Sequence, residues 1–341
     1  MKRRVIGIVV AVVVIGGVFL FVLPKIADYR AVLDTIADLT WEQILALAGA
    51  TALNIVTFAP PFMATLPGLG FLRALVLTQA STASTYIAPG GAAVGMALAY
   101  AMLRGWDFAP AAVTLAVALT GVWNQLFLLG APAVALALLT LAGGSNTLLQ
   151  TVAVIGLVVF LVALVAFAGA LSSDGAARWV GDAAARITSW GLRLIRRRPV
   201  AWDGESLVAF RRQAVGLLGR RWWLLTLATI AGQMSVFLVL VTCLRTLGVS
   251  ESQVTLTEAF AAWTLVRLLG SLPITPGGLG VVELGLTGAL VGFGGRNDAV
   301  VAAVLLYRAL TILPTLVLGL IAGALWRRLR PHHQEPVPEA P

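Results

Sequence analysis

Arg267, Glu283 and Arg308 stand inside long apolar stretches, two guanidiniums around one carboxylate. Ionisable side chains at membrane depth are costly, so each marks either a ligand path or an ion pair. Two arginines against one glutamate leave net positive charge, and arginine's planar fork of donors matches phosphate oxygens in a bidentate way. Glu283 lies five residues beyond Gly278 in the run Pro276-Gly277-Gly278. Amide groups in that run, and the positive end of a half-helix starting after it, would add to the attraction for an anion. The competing expectation is a structural arginine–glutamate pair that pins this segment to its neighbour.

A second Pro-Gly-Gly, Pro89-Gly90-Gly91, occupies a comparable place in the first half of the chain. Proline lacks an N–H and clashes with the preceding turn, and glycine leaves the backbone uncovered, so a helix should break at both runs. Inside lipid the freed polar groups must be received by protein or by a water-filled cavity. Broken segments at matching places in two halves point to a binding site near the membrane midplane. The candidate substrate-binding residues are therefore Arg267, Pro276, Gly277, Gly278, Glu283 and Arg308, with Pro89, Gly90 and Gly91 opposite them. The first break carries no charge. Gln79, Ser81, Thr82, Ser84, Thr85 and Tyr86 precede it and form either a polar lining or a close-packing face. Asn124, Gln125, Gln233 and Ser235 either line a cavity or make interhelical hydrogen bonds of about 1 kcal/mol each.

Composition fixes the solvent around these elements. With 59% hydrophobic and 11% charged residues, the chain reads as a polytopic membrane protein rather than a soluble domain of 341 residues. The formal charge of +9 does not point to nucleic acid. Ten of the 24 basic residues fall between Ser172 and Arg221, flanked by apolar spans, which suits a cytoplasmic loop under the positive-inside rule. Cys243 lies in an apolar run and reads as core. His332 and His333 sit among four prolines in the tail without partners for a metal. No catalytic residue, metal or cofactor is expected.

Val5 to Leu23, after Lys2, Arg3 and Arg4, is long enough for an uncleaved first span that starts in the cytoplasm. Pro24 to Gln43 is a net negative outer loop, and Ile44 to about Leu66 returns. Residues 74–103 are too many for one ordinary span and too few for two. A re-entrant hairpin there places the arginine-rich loop 172–221 in the cytoplasm, and a second hairpin over 259–294 keeps the tail there too. Kinked full spans with one further crossing are the alternative. The expected architecture is a single all-α membrane domain over 1–341, with about six full spans and two broken hairpins entering from opposite faces. Its halves, 1–171 and 222–326, have the layout of an inverted repeat. Within the loop, Leu207, Phe210, Val215, Leu217 and Leu218 interleave with arginines, as in a helix lying on an anionic membrane surface. The tail 327–341 is expected to be disordered.

The run from Pro273 to Glu283, Pro-Ile-Thr-Pro-Gly-Gly-Leu-Gly-Val-Val-Glu, followed by Leu305-Leu306-Tyr307-Arg308, resembles the membrane region of lysylphosphatidylglycerol synthases and their stand-alone flippase-like relatives. By topology the resemblance covers nearly the whole chain, and Pro276, Gly277, Gly278, Glu283 and Arg308 are the positions that match. It implies a multi-pass protein of the bacterial inner membrane, related to domains that move an aminoacylated anionic phospholipid between leaflets. Lysine appears only at Lys2 and Lys25, a composition typical of a GC-rich bacterial genome. Two departures narrow the expectation. In the family the first break is often followed by charged residues, but Ala92-Ala93-Val94-Gly95 has none. The synthases also append a large soluble aminoacyltransferase domain, whereas this sequence runs about 15 residues past its last span, so it is not expected to make the aminoacyl lipid itself.

The functional expectation is transport of an anionic or aminoacylated phospholipid, or another phosphate-bearing lipid, by a protein that is not an enzyme. Its partners would be membrane phospholipids and, in the alternative, a lipid- or glycolipid-synthesis enzyme that it supports as a membrane subunit. A membrane-embedded enzyme using a polyprenyl-phosphate donor fits less well, because no Asp-x-Asp pattern appears. No Walker A sequence is present, so nucleotide-driven transport is not expected.

Overall fold

A computed structural model describes residues 39–88, 91–141, 147–194, 204–271 and 276–328. In chain order these form α1 (Trp41–Thr57), α2 (Ala59–Thr65), α3 (Phe71–Ile87), α4 (Gly91–Arg104), α5 (Pro110–Leu141), α6 (Thr147–Ser172), α7 (Asp174–Leu194), α8 (Gly204–Thr246), α9 (Leu256–Gly270), a short 3₁₀ turn (Pro276–Gly278), α10 (Val281–Gly292) and α11 (Asn297–Arg328). No strand occurs among the described residues. Five segments are long and apolar enough to cross a membrane: Trp41–Thr65, Pro110–Leu141, Val154–Ser172, Leu207–Thr246 and Asn297–Trp326. The expected first span at 5–23, Pro89, Gly90 and residues 329–341 of the tail lie outside the described residues, while Arg327 and Arg328, expected as the start of a disordered tail, continue α11.

Local chemistry accounts for several helix starts. Thr40 and Gln43 form a reciprocal capping box ahead of α1, so that helix begins inside the stretch expected as the end of the outer loop. Thr255 and Glu258 do the same for α9. On α6, Val154, Val162 and Val165 stay mostly exposed, a pattern that only hydrocarbon solvates well.

Each Pro-Gly-Gly region divides an antiparallel helical hairpin. In the first, a Cβ on Gly91 would lie 2.0 Å from the Thr85 carbonyl oxygen, and one on Gly95 would lie 2.5 Å from Thr85 Oγ1 and 2.9 Å from the Ser81 carbonyl. Backbones this close require glycine. In the second, Gly270 and Gly285 meet Val282 and Val266 in the same crossed order.

The helix α11 acts as a ruler for both hairpins. Near its start, Val300 sits against Gly295, beside the Leu290 carbonyl and Val254, at the base of the second hairpin. Arg308 reaches the second break. Ile312 and Leu316 then pack with Ala83, Tyr86 and Ile87 at the end of α3. Finally Trp326 donates to the Met102 carbonyl (3.3 Å) at the base of the first hairpin. From Val300 to Trp326 is about 39 Å of helix. The hairpins therefore enter from opposite ends of α11 and meet near its middle. The course of α5 is reciprocal: Val113 and Ala116 join the core at the base of the first hairpin, while Ala135, Leu136 and Leu139 pack on Ala261 of the second. Each half thus packs its hairpin on the other half's long helix, the arrangement of an inverted repeat.

Between the halves, α1 crosses α8 through Asn54 Nδ2 to Ser235 Oγ (3.2 Å) and the Thr57–Ser235 hydroxyl pair (2.8 Å). Ser235 thus serves an interhelical bond. A cluster of Phe127, Phe237, Phe260 and Trp263 joins α5, α8 and α9, with ring centroids 5.1 to 6.5 Å apart. Such pairs contribute about 0.5–1.5 kcal/mol each beyond area burial.

Of the segment expected as a surface loop, 172–221, the described residues are almost all helical. α7 is followed by α8, which runs unbroken for 43 residues. Residues 207–221 are therefore the first turns of a spanning helix rather than a separate interfacial one. Phe210, Ala214, Leu217 and Leu218 are drawn inward against Leu115, Leu119, Phe167 and Leu171, which removes the apolar face a surface helix would need. Asp174 ties the bend to this helix through Arg211 (2.7 Å) and Arg212 (2.8 Å), and the hydrogen bond from Arg212 holds its carboxyl below the ordinary carboxylate range.

Candidate functional site

The second break ends α9 at Gly270, where the Ser271 amide donates to the Arg267 carbonyl (3.0 Å). After residues 272–275, Gly277 (φ 62°), Gly278 (φ 68°) and Gly280 (φ 83°) take left-handed conformations that other residues pay strain to adopt. This turn aims backbone groups at Glu283 and Arg308. The Gly280 amide donates to Glu283 Oε2 (2.7 Å), Arg308 Nε donates to Glu283 Oε1 (2.7 Å), and Arg308 Nη2 donates to the Gly277 carbonyl (3.0 Å). Glu283 and Arg308 are 4% and 7% exposed. One carboxylate thus caps its own helix and neutralises a guanidinium from α11.

This geometry differs from the expected cluster of two arginines around a glutamate. Glu283 already fills the positive helix start that was expected to attract a ligand anion, and among the described residues it pairs with Arg308 alone. Arg267 lies instead over the Trp263 ring, 5.0 Å from its centroid. No carboxylate among the described residues forms an ion pair with it. It is half-buried in the last turn before the break. Trp263 Nε1 in turn donates to the Tyr307 hydroxyl (3.3 Å). A cation held by an aromatic face keeps its hydrogen-bond donors for another partner.

The two tips touch. A Cβ on Gly277 would lie 2.5 Å from Cδ1 of Tyr86, which ends α3 just before the first break. Leu279 packs with Tyr86, Ala83 and Leu316 beside it. Gly277→Ala is therefore expected to cost about 2 kcal/mol, from the positive φ and the collision with the ring. In a Tyr86→Ala background the added cost should fall by about 1 kcal/mol, because only the backbone part remains. Unfolding midpoints of the four proteins in detergent check this, and strictly additive losses would place the tips apart.

The polar face before the first break serves both expected purposes. Thr85 and Ser81 meet Gly95 in the hairpin seam, whereas Ser81 and Thr82 also border a cavity of about 90 Å³ between α3, α5 and α8. Asn124 and Gln233 line it and bond to each other, Gln233 Nε2 donating to Asn124 Oδ1 (2.5 Å). Gln125 is exposed. Sequence reasoning passed over Thr78, Thr120 and Thr229, which complete the lining. Threonine in a membrane helix commonly bonds its own backbone, as Thr78 Oγ1 does to the Leu75 carbonyl (3.1 Å), so its type alone gives little signal. Trp263 was also missed as the partner of Arg267, since an aromatic residue in an apolar run reads as core.

Against known proteins, the family model described as Lysylphosphatidylglycerol synthase TM region matches residues 5–319. No curated protein matches the chain.

Proposed function

Because the chain belongs to the lysylphosphatidylglycerol synthase TM region family, whose members are membrane-embedded and linked to lipid handling, we propose that it moves a phosphate-bearing phospholipid between the leaflets of a membrane. The observation that carries this reading is Arg267, a half-buried cation with no described carboxylate partner, in the last turn before the second break, whose Gly277 meets Tyr86 of the first hairpin. Arg267 receives the lipid phosphate through its guanidinium fork, and Trp263 holds that fork in place. Glu283 and Arg308 fasten the second tip to α11 as a neutral clamp, so the site keeps one net positive charge for an anionic headgroup. Hairpins that open alternately toward their own ends would expose this position first to one leaflet and then to the other. The chain makes and breaks no covalent bond in this scheme, and movement is passive or driven by an ion or the membrane potential. We place it in the cytoplasmic membrane of a bacterium with both termini in the cytoplasm and with phospholipids as its partners.

Translocation of fluorescent anionic phospholipids, with and without an aminoacyl group, in liposomes containing the purified chain tests this reading. Arg267→Gln is expected to slow movement about tenfold or more while lowering stability by only about 1 kcal/mol, the worth of its cation–π contact. Arg267→Lys keeps the charge without the fork and should fall between. Wild-type rates in Arg267→Gln would remove the phosphate assignment. No movement by well-folded wild type would shift the function to a membrane subunit supporting a separate lipid-synthesis enzyme.

A further inference from the structure

The helix α7 is strongly amphipathic, and one side of it is fastened to the start of α8. Asp174 pairs with Arg211 and Arg212, Arg178 pairs with Glu205 (2.7 Å), and Asp182 Oδ1 accepts from the Gly204 amide (2.8 Å). Ala177 and Gly181, on the same side, are buried. These positions recur every three to four residues and so form one face. Trp179, Arg186 and Trp190 share another face, about 130° around the axis from the first. Trp179 and Trp190 are 69% and 68% exposed, and Arg186 between them is exposed too.

Two indoles on one stripe are poorly solvated by water, because each ring favours an apolar contact while its N–H favours a wet one. The position of α7 says what covers them. It begins one residue after α6, a membrane-length helix with an exposed apolar surface, ends at Ser172. Its first turn therefore stands at the bilayer surface, and the bonds from Asp174 to α8 hold it there. The headgroup layer offers both contacts that the stripe lacks, the acyl boundary for the rings and phosphates for Arg186. The carboxylates of α7, Asp174 and Asp182, are spent on α8 and do not oppose those phosphates. A protein partner fits less well: the core of a protein interface is depleted of charge, whereas here a guanidinium lies between the two rings.

We propose that α7 docks on the headgroup layer of the leaflet where α6 ends, with Trp179 and Trp190 at the boundary with the acyl chains and Arg186 on lipid phosphates, and that it docks more firmly when the lipid is anionic. The surface-lying helix of this chain is then α7 rather than residues 207–221. Through Asp174 and Asp182 it also sets the level at which α8 enters the bilayer.

The test places a fluorescent reporter on the stripe of the full chain in vesicles. Cys243 is the only cysteine and is buried, so Trp179→Cys and Trp190→Cys can each be labelled selectively with bimane, a ring system close to indole in size. Each variant keeps the other tryptophan, so the two together decide the result even if one folds poorly. The vesicles are phosphatidylcholine with or without phosphatidylglycerol, part of the lipid carrying a nitroxide on its headgroup. Both labels are expected to be quenched by the nitroxide and protected from aqueous iodide about threefold or more relative to free bimane. Adding Arg186→Glu should lower the nitroxide quenching, and more in the vesicles that contain phosphatidylglycerol. Labels open to iodide and untouched by the nitroxide overturn the proposal. Labels shielded from both quenchers also overturn it, because the stripe is then covered by protein, a second copy or another chain. An equal effect of Arg186→Glu in the two kinds of vesicle removes the preference for anionic lipid.

Discussion

Glu283→Ala and Arg308→Ala should each destabilise the folded protein by about 3–5 kcal/mol, because either change strands a buried charge. Glu283 and Arg308 are 4% and 7% exposed, and the carboxylate has two commitments, to Arg308 Nε and to the Gly280 amide, both at 2.7 Å. Glu283→Gln retains one oxygen but turns an amide N–H₂ toward a donor, so it is expected to fall near the alanine variant. Arg308→Lys keeps the charge yet cannot reach both Glu283 and the Gly277 carbonyl in one plane, and about 1.5–3 kcal/mol should be lost with the second charged hydrogen bond. The double variant Glu283→Gln, Arg308→Met leaves no charge and keeps an acceptor for Gly280. It should be more stable than either alanine variant, which a sum of independent contacts would not allow. Thermal unfolding in detergent reads these differences. Single losses under about 1 kcal/mol would show a solvated pair of the kind seen at surfaces.

A similarly large loss is expected from one added methyl at Gly319. On that residue a Cβ would lie 2.3 Å from Ala83 Cβ and 3.0 Å from the Gln79 carbonyl, where α11 crosses α3. Neither neighbour is a flexible side-chain end, so Gly319→Ala must push the two helices apart. About 3 kcal/mol is expected, at the upper end for overpacking. Gly323→Ala on the same helix meets nothing within 4 Å and should be neutral or stabilising by up to about 1 kcal/mol. Ala83→Gly combined with Gly319→Ala moves the small residue across the interface and should recover much of the loss. If Gly319→Ala behaves like Gly323→Ala, the close crossing that joins the first hairpin to the last helix is not present in solution.

Much of the architecture was readable before any contact was known. Membrane-length apolar runs can close their backbone hydrogen bonds only as helices, so composition and length selected an all-helical polytopic chain. Pro-Gly-Gly removes a donor and the steric bias toward helix within three residues, which locates both breaks from local chemistry. A lone carboxylate in such a chain also needs a cationic partner, and Glu283 could be identified as a paired residue on that ground.

Its choice of partner was settled by packing. Arg267 and Arg308 were equivalent candidates by type and spacing. Only the placement of α11 against the glycine turn brings Arg308 to both Glu283 and the Gly277 carbonyl, leaving Arg267 on Trp263. The same holds for Tyr86 against Gly277, and for the cavity that Thr82, Asn124 and Thr229 build from three separate helices. Such pairs are distant in sequence and their geometry depends on helix rotation and crossing, which no local propensity encodes. The amino-acid sequence by itself determined the solvent, the helices and the two points where they break, because each follows from backbone chemistry over a few residues. The tertiary structure alone decided which charges cancel, which cation stays available and where polar side chains from separate helices line a cavity, because those depend on how separate helices pack.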